Sequence, residues 1–224
     1  MQIKERFARE TSREYAYRIL KDNIIMLELE PGSLVSENAL AAELGLSRTP
    51  VREALIELSK SKIVEIYPQK GSYISKIDYS MVEESRFLRL VLEKAVVDLA
   101  CDGVEQKVMQ NLKENVKLQE FYLNNATPGK LLELDNEFHK ELFDLVNKPQ
   151  TYRVMNSMMA HFDRLRSLAM KAVKEIKIVE DHEMMLEAIE KHDKVLAMQI
   201  VEKHLSRYQV EKQELIKQYP DYFA

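Results

Sequence analysis

Tryptophan is missing from the 224 residues, cysteine occurs once, and no apolar run approaches the roughly 20 residues needed to cross a bilayer. Cys101 has no second thiol to pair with, which excludes an internal disulfide and suits a reducing compartment. It sits in an apolar helical pattern, where packing is its expected role. The opening MQIKERFARETSREYAYR carries charges where an export signal needs an apolar core, so the expected setting is the cytoplasm, with no membrane partner. Internal repeats and low-complexity tracts are also lacking. So is bulk positive charge: residues 1–77 hold twelve Lys and Arg against eleven Asp and Glu, and the remainder 21 against 26. Affinity for a polyanion must then come from local clustering, and should fall steeply as salt rises.

What is present near the start is a pair of short helical patterns over residues 36–56, SENALAAELGLSRTPVREALI. Ser36 can cap the first, and Ala39, Leu40 and Leu44 recur on one face. Gly45 supplies the turn, and Ser47 is placed to cap the second helix with its side-chain oxygen. Pro50 is tolerated there because first-turn N–H groups have no intrahelical partner. Val51, Leu55 and Leu58 face inward, leaving Arg48 and Arg52, four apart, on the other face near the helix start. That is where a recognition helix meets base edges and phosphates. A supporting helix precedes the pair, with Tyr15, Ala16, Ile19, Leu20, Ile24 and Leu27 in helical register after a Thr11 or Ser12 cap, ending at Pro31-Gly32.

Two β-prone runs follow, Ile63–Ile66 and Ser72–Ile74, around Tyr67-Pro68-Gln69-Lys70-Gly71. A hairpin tip with Lys70 beside Gly71 lets the backbone approach a sugar-phosphate edge while the ammonium neutralises charge. Pro31-Gly32, Val35-Ser36-Glu37, LA-x2-LGLSRTPVREAL and the P-x-x-G-S-Y of the hairpin resemble the winged helix-turn-helix domain of the GntR family of bacterial repressors, over residues 11–77. The resemblance implies DNA contact by Arg48 and Arg52, supported by Ser47, Thr49, Lys70 and Gly71. Arg6, Arg9 and Arg13 could add to the cluster. Two positions depart from that family's pattern: no glycine stands near Lys62, and Asn38 replaces an arginine some members use on DNA.

Asp78 to Ser80 mark a boundary, with Ser80-Met81-Val82-Glu83 reading as a capping box that opens a long helix. β signals then vanish. Helical patterns succeed one another, broken at Asp102-Gly103, Ala126–Gly129, Lys148-Pro149, near Lys174 and at His192-Asp193, which predicts six helices. The expected fold is mainly α: a winged helix-turn-helix domain over 1–77 with a small β-wing, then an all-α antiparallel bundle over 78–224.

Asp135 and His139 lie at i and i+4, so a helix places carboxylate and imidazole on one face. His182 and His204 are 22 residues apart, about 33 Å along one continuous helix. The break at His192-Asp193 lies midway, so a helical hairpin brings the two histidines level. One Asp and three His would suit a divalent transition metal, Zn, Ni, Mn or Fe, with positions open for water or a carboxylate. The alternative for these residues is ordinary surface and core polarity. His192-Asp193 itself is expected to serve the turn, and Met155, Met158, Met159, Met184 and Met185 to fill core or pocket wall.

The helical part, residues 79–217, resembles the FCD effector domain of the FadR subgroup of that family. The matching residues are Arg89-x2-Leu92-Glu93-x-Ala95, Asp135-x3-His139 and His182-x6-Ile189-x3-Asp193-x3-Ala197-x6-His204. This resemblance implies metal binding by Asp135, His139, His182 and His204, with a small organic acid beside the ion and Arg89 clamping its carboxylate. Arg89 could equally pair with Glu93 one turn on. His161 and Arg166 join Arg89 as effector-binding candidates, against a structural role for His161 and salt bridges for Arg164 and Arg166.

The function expected is a ligand-responsive, homodimeric transcriptional regulator, a repressor if it acts as most relatives do, reading a palindromic double-stranded operator. The rival is a metal-dependent hydrolase whose N-terminal domain is a docking module. That rival needs a general base beside metal-bound water, and Glu137 and Glu183, though adjacent to ligands in sequence, point about 100° away on a helix. No enzyme is therefore expected. A third alternative is an architectural DNA-binding protein whose helical part only dimerises.

Overall fold

The computed structural model describes residues 1–172 and 177–224, the side chains of residues 208–211 excepted. The first helix, α1 (Ser12–Ile25), starts on a reciprocal cap: Thr11 Oγ1 accepts the Glu14 N–H while the Glu14 carboxylate accepts the Thr11 N–H. It stops before Pro31-Gly32, because Leu27 turns left-handed and the Asn23 carbonyl collects the N–H groups of Glu28 and Leu29. Strand β1 (Leu34–Val35) leads into α2 (Glu37–Leu44), capped by Ser36 and ended by Gly45 at φ 66°. Helix α3 (Arg48–Lys60) follows. The hairpin β2 (Val64–Tyr67) and β3 (Gly71–Ile74) completes the wing, with β3 central in a three-stranded antiparallel sheet of order β1-β3-β2. Ile19, Leu20 and Ile24 of α1 and Val51, Leu55 and Leu58 of α3 form the core of this head.

The bundle comprises α4 (Tyr79–Ala100), α5 (Gln106–Asn124), α6 (Pro128–Leu145), α7 (Pro149–Ser157), α8 (Ala160–Ala172), α9 (Ile178–Glu190) and α10 (Lys194–Gln218). Among the described residues that is one helix more than the spacing predicts, because the stretch after Pro149 divides at Met158-Met159. No glycine or proline marks this break. The N–H groups of Met158 and Met159 reach back only three residues, and the Met158 carbonyl is taken by the Ser85 hydroxyl of α4 at 2.7 Å. At the boundary the cap is Asp78, not Ser80: its carboxylate accepts both the N–H and the hydroxyl of Ser80, so α4 begins earlier than the expected box. The expected break near Lys174 lies outside the described residues. His192 at φ 58° and Asp193, which caps α10 through the Leu196 N–H, form the turn between α9 and α10 as expected.

Head and bundle share their margins. Leu132 and Ala160 of the bundle lie in the head's core, and Leu27 of the head lies in the bundle's. Ile77, at the junction, exchanges backbone hydrogen bonds with Tyr222 and Ala224, while Phe223 stacks on Tyr79. Among the described residues no helix is long and apolar enough to cross a membrane.

Candidate functional site

Two groups of side chains stand out, one exposed on the head and one buried in the bundle. On the head, Ser47, Arg48, Thr49 and Arg52 are exposed along the start of α3, and Val51, Ala54, Leu55 and Leu58 hold its other face in the core. Ser47 occupies the cap position but makes no capping bond, contrary to expectation. An exposed hydroxyl loses little by remaining with water. The Arg48 guanidinium is paired with Glu37 of α2 at 2.5 Å, yet its side chain stays 63% exposed.

The wing tip turns on Pro68 and on Gln69 at φ 64°, closed by a Lys70 N–H to Tyr67 carbonyl bond of 3.1 Å. Gly71 sits at φ 109°, where a Cβ would come within 3.0 Å of Leu34 Cδ1. Lys70, Gly71, Arg48 and Glu37 line one groove of about 290 Å³, so the start of α3 and the wing tip present a continuous surface. Lys62, where the family pattern has a glycine nearby, itself takes φ 57°, a conformation glycine adopts at less cost.

In the bundle, Asp135 and His139 of α6, His182 of α9 and His204 of α10 converge. One ligand atom from each lies within 4.8 Å of all the others, and every one of the four residues is buried. The α9–α10 turn brings the His182 and His204 rings to 4.7 Å between centroids. The Nε2 atoms of His139 and His182 have no hydrogen-bond partner among the described residues and lie 3.8 and 3.7 Å from the Asp135 carboxylate oxygens. Burial holds both imidazoles well below the usual histidine pKa, with the nearby Arg89 and His204 adding to it, so both rings are neutral with a free lone pair at neutral pH. Burial pushes the Asp135 carboxyl the other way. The Arg166 guanidinium, with Arg89 beside it, outweighs it and keeps Asp135 ionised well below the ordinary carboxylate range.

The His182 ring is fixed by a hydrogen bond and a stack, and the other two rings face carboxylates. His182 Nδ1 bonds Gln119 Oε1 at 2.8 Å, Gln119 in turn donates to Asn115, and Phe138 stacks on the imidazole at 4.1 Å. His139 Nδ1 lies 3.1 Å from Glu93 Oε2, and His204 Nδ1 lies 3.7 Å from Asp181, which Arg207 grips with two guanidinium nitrogens. Outer partners of this kind orient metal-ligating histidines. Sequence reasoning passed over Gln119, Asn115, Asp181 and Arg207. A signal existed for the first two: Asn115 and Gln119 interrupt the buried face of α5, among Met109, Leu112 and Val116.

The effector candidates part company here. Arg89 is buried and pairs with Glu93 at 2.6 Å, the ion-pair alternative, yet it also lines a small cavity of about 60 Å³ beside the cluster. Arg166 lines the same cavity, bonding Asp135 and also Asp163 and Asn136. Arg207 closes it. His161 does not belong to this group, which corrects the expectation. Both of its ring nitrogens are engaged on the opposite side of α8, by the Asp78 N–H and the Lys62 carbonyl, each at 3.1 Å. A wider cleft of about 660 Å³ between α1 and α6 contains none of the four donors.

The four donors fit a divalent cation: the site is buried, the His139 and His182 imidazoles are neutral, the Asp135 carboxylate is ionised, and the Nε2 atoms of those two rings lack a hydrogen-bond partner among the described residues. Comparison with known proteins places these features in a family. Residues 12–74 match the bacterial regulatory proteins of the gntR family, and residues 84–207 match the FCD domain. An HTH-type transcriptional regulator in an unstable DNA locus of Streptomyces ambofaciens is 30% identical over 96% of this chain and 90% of its own. The HTH-type transcriptional repressor RspR of Escherichia coli is 26% identical, covering 93% and 92%. In fold, the chain is similar to the Escherichia coli McbR/YncC structure, with a TM-score of 0.78 at 19% identity over 93% of this chain and 99% of that one. These relatives are regulators and not enzymes, so the hydrolase alternative falls. A gntR match and an FCD match in order, with a relative aligned almost end to end, establish that this chain belongs to the GntR family and is a DNA-binding transcriptional regulator.

Proposed function

We propose that the chain is a repressor of the FadR subgroup whose bundle binds a divalent transition metal and a small carboxylate, and whose head, residues 1–77, reads a palindromic operator as a homodimer. Asp135, His139, His182 and His204 would hold the metal in the unit spanning 78–224. The observation that carries this reading is the convergence of four buried donors within 4.8 Å, two of them nitrogens with no other partner among the described residues. The bound metal would supply a Lewis-acidic centre for a carboxylate oxygen. Arg89, Arg166 and Arg207 surround the cavity beside the donors, and their planar forks suit the rest of such a ligand.

On the head, Arg48, Arg52 and Lys70 are the proposed contacts to phosphates and base edges, with Ser47, Thr49 and Gly71 in support. Dimerisation has its own support: Phe87, Val91 and Leu99 form an exposed apolar stripe along α4, and Val195 of α10 is exposed as well. Two copies joined there would present two heads to two half-sites.

Elemental analysis of the purified protein, together with His182→Ala/His204→Ala, tests the metal. Stoichiometric metal in the wild type, its loss in the double variant, and loss of the thermal-shift response to small organic acids are expected. Stoichiometric metal persisting in the double variant overturns the ligand assignment.

A further inference from the structure

We propose that His161 and Arg164 are the tie through which the state of the donor cluster reaches the DNA-binding head. The inference rests on the reading above that the cluster binds a metal, and it adds the route by which that binding is felt. Helix α8 lies across the junction: Ala160 is packed in the head's core, while Phe162, Leu165 and Leu168 are packed in the bundle's. Side chains two apart on a helix point about 200° from each other, so Arg164 and Arg166 leave α8 on opposite sides. Arg166 reaches Asp135 of the cluster. Arg164 reaches the head, donating to the Ser75 carbonyl at 2.5 Å and to its hydroxyl at 3.3 Å.

One turn earlier His161 completes the grip. Burial, reinforced by Arg164, holds its pKa down at about 4, so the ring is neutral: Nδ1 accepts the Asp78 N–H and Nε2–H donates to the Lys62 carbonyl. The Ser75 hydroxyl donates to that same carbonyl at 2.7 Å. Two side chains of α8 thus hold the turn entering β2 and the segment leaving β3, the two roots of the wing.

Arg164 is fully buried, and no carboxylate pairs with it among the described residues. A buried cation of this kind is a poor stabiliser compared with an apolar side chain of similar volume. What it secures is alignment, since a shift of α8 must either carry the wing roots along or strip the guanidinium of its acceptors. Asp135 is both a donor of the cluster and the anchor of Arg166, so cluster occupancy and the seating of α8 share one carboxylate.

Hydrogen–deuterium exchange of residues 62–78, measured with added Zn²⁺ and after chelation, tests the tie in the wild type and in Arg164→Met, with Zn²⁺ affinity titrated in parallel. Zn²⁺ should change exchange across 62–78 in the wild type, and the change should vanish in Arg164→Met while Zn²⁺ affinity is kept. His161→Phe, which keeps an aromatic ring and removes both nitrogens, should behave alike and serves if Arg164→Met does not fold. An equal change in wild type and variants, or no change in a wild type that binds Zn²⁺, overturns the tie and leaves the metal site standing. A wild type that binds no Zn²⁺ overturns the metal reading, and the tie falls with it.

Discussion

The two functional regions handle charge in opposite ways. The proposed DNA face of the head displays Arg48, Arg52 and Lys70 to solvent, with one exposed ion pair, Arg48 to Glu37, as their local commitment. The centre of the bundle buries Asp135, His139, His182 and Arg89 almost completely and interlocks them. A polyanion can be gripped by exposed cations that are held loosely beforehand, because contact itself releases counterions. A small ion or acid needs donors already stripped of water and aimed at one point, which demands that every group there be oriented by another.

Stability measurements should expose that contrast most strongly. Asp135→Ala removes the buried partner of Arg166 and should cost the metal-free protein about 3–5 kcal/mol in urea unfolding, nearer the lower figure because Asp163 still holds the guanidinium. Glu37→Ala, which breaks the exposed pair with Arg48, should cost no more than about 1 kcal/mol in the same assay. Equal costs would dissolve the distinction between the regions.

Operator binding should respond in the reverse order. Arg52→Ala is expected to weaken binding by about 1–3 kcal/mol if it reads a base, with no change in melting temperature. Unchanged affinity removes it from the contact surface. The smallest effect is expected at the wing: Lys70→Ala should lower affinity evenly across operator sequences and reduce the slope of log affinity against log salt by about one. A sequence-dependent loss there would instead assign Lys70 a base.

Local relations were readable before any tertiary contact was known. Thr11 and Ser36 announce their helices, Gly45 and His192-Asp193 their turns, and the i,i+4 spacing of Asp135 and His139 their shared face. His182 and His204 meet because a turn falls midway between them, a relation set by the position of the break alone. The division at Met158 could not be read this way, because the Ser85 hydroxyl that accommodates it comes from another helix.

Sequence alone therefore determined which residue types share a helix face and where the chain must turn, since those follow from neighbours three or four positions away. Tertiary structure decided that Gln119 orients His182, that Glu93 faces His139 while pairing with Arg89 at the cavity wall, and that His161 faces the head instead of the cavity beside the cluster. The partners of His161 lie 83 and 99 positions away, and no local spacing rule reaches so far. Burial sets the outcome there: once a polar ring is dry, it takes whichever backbone groups the packing of two units brings within reach.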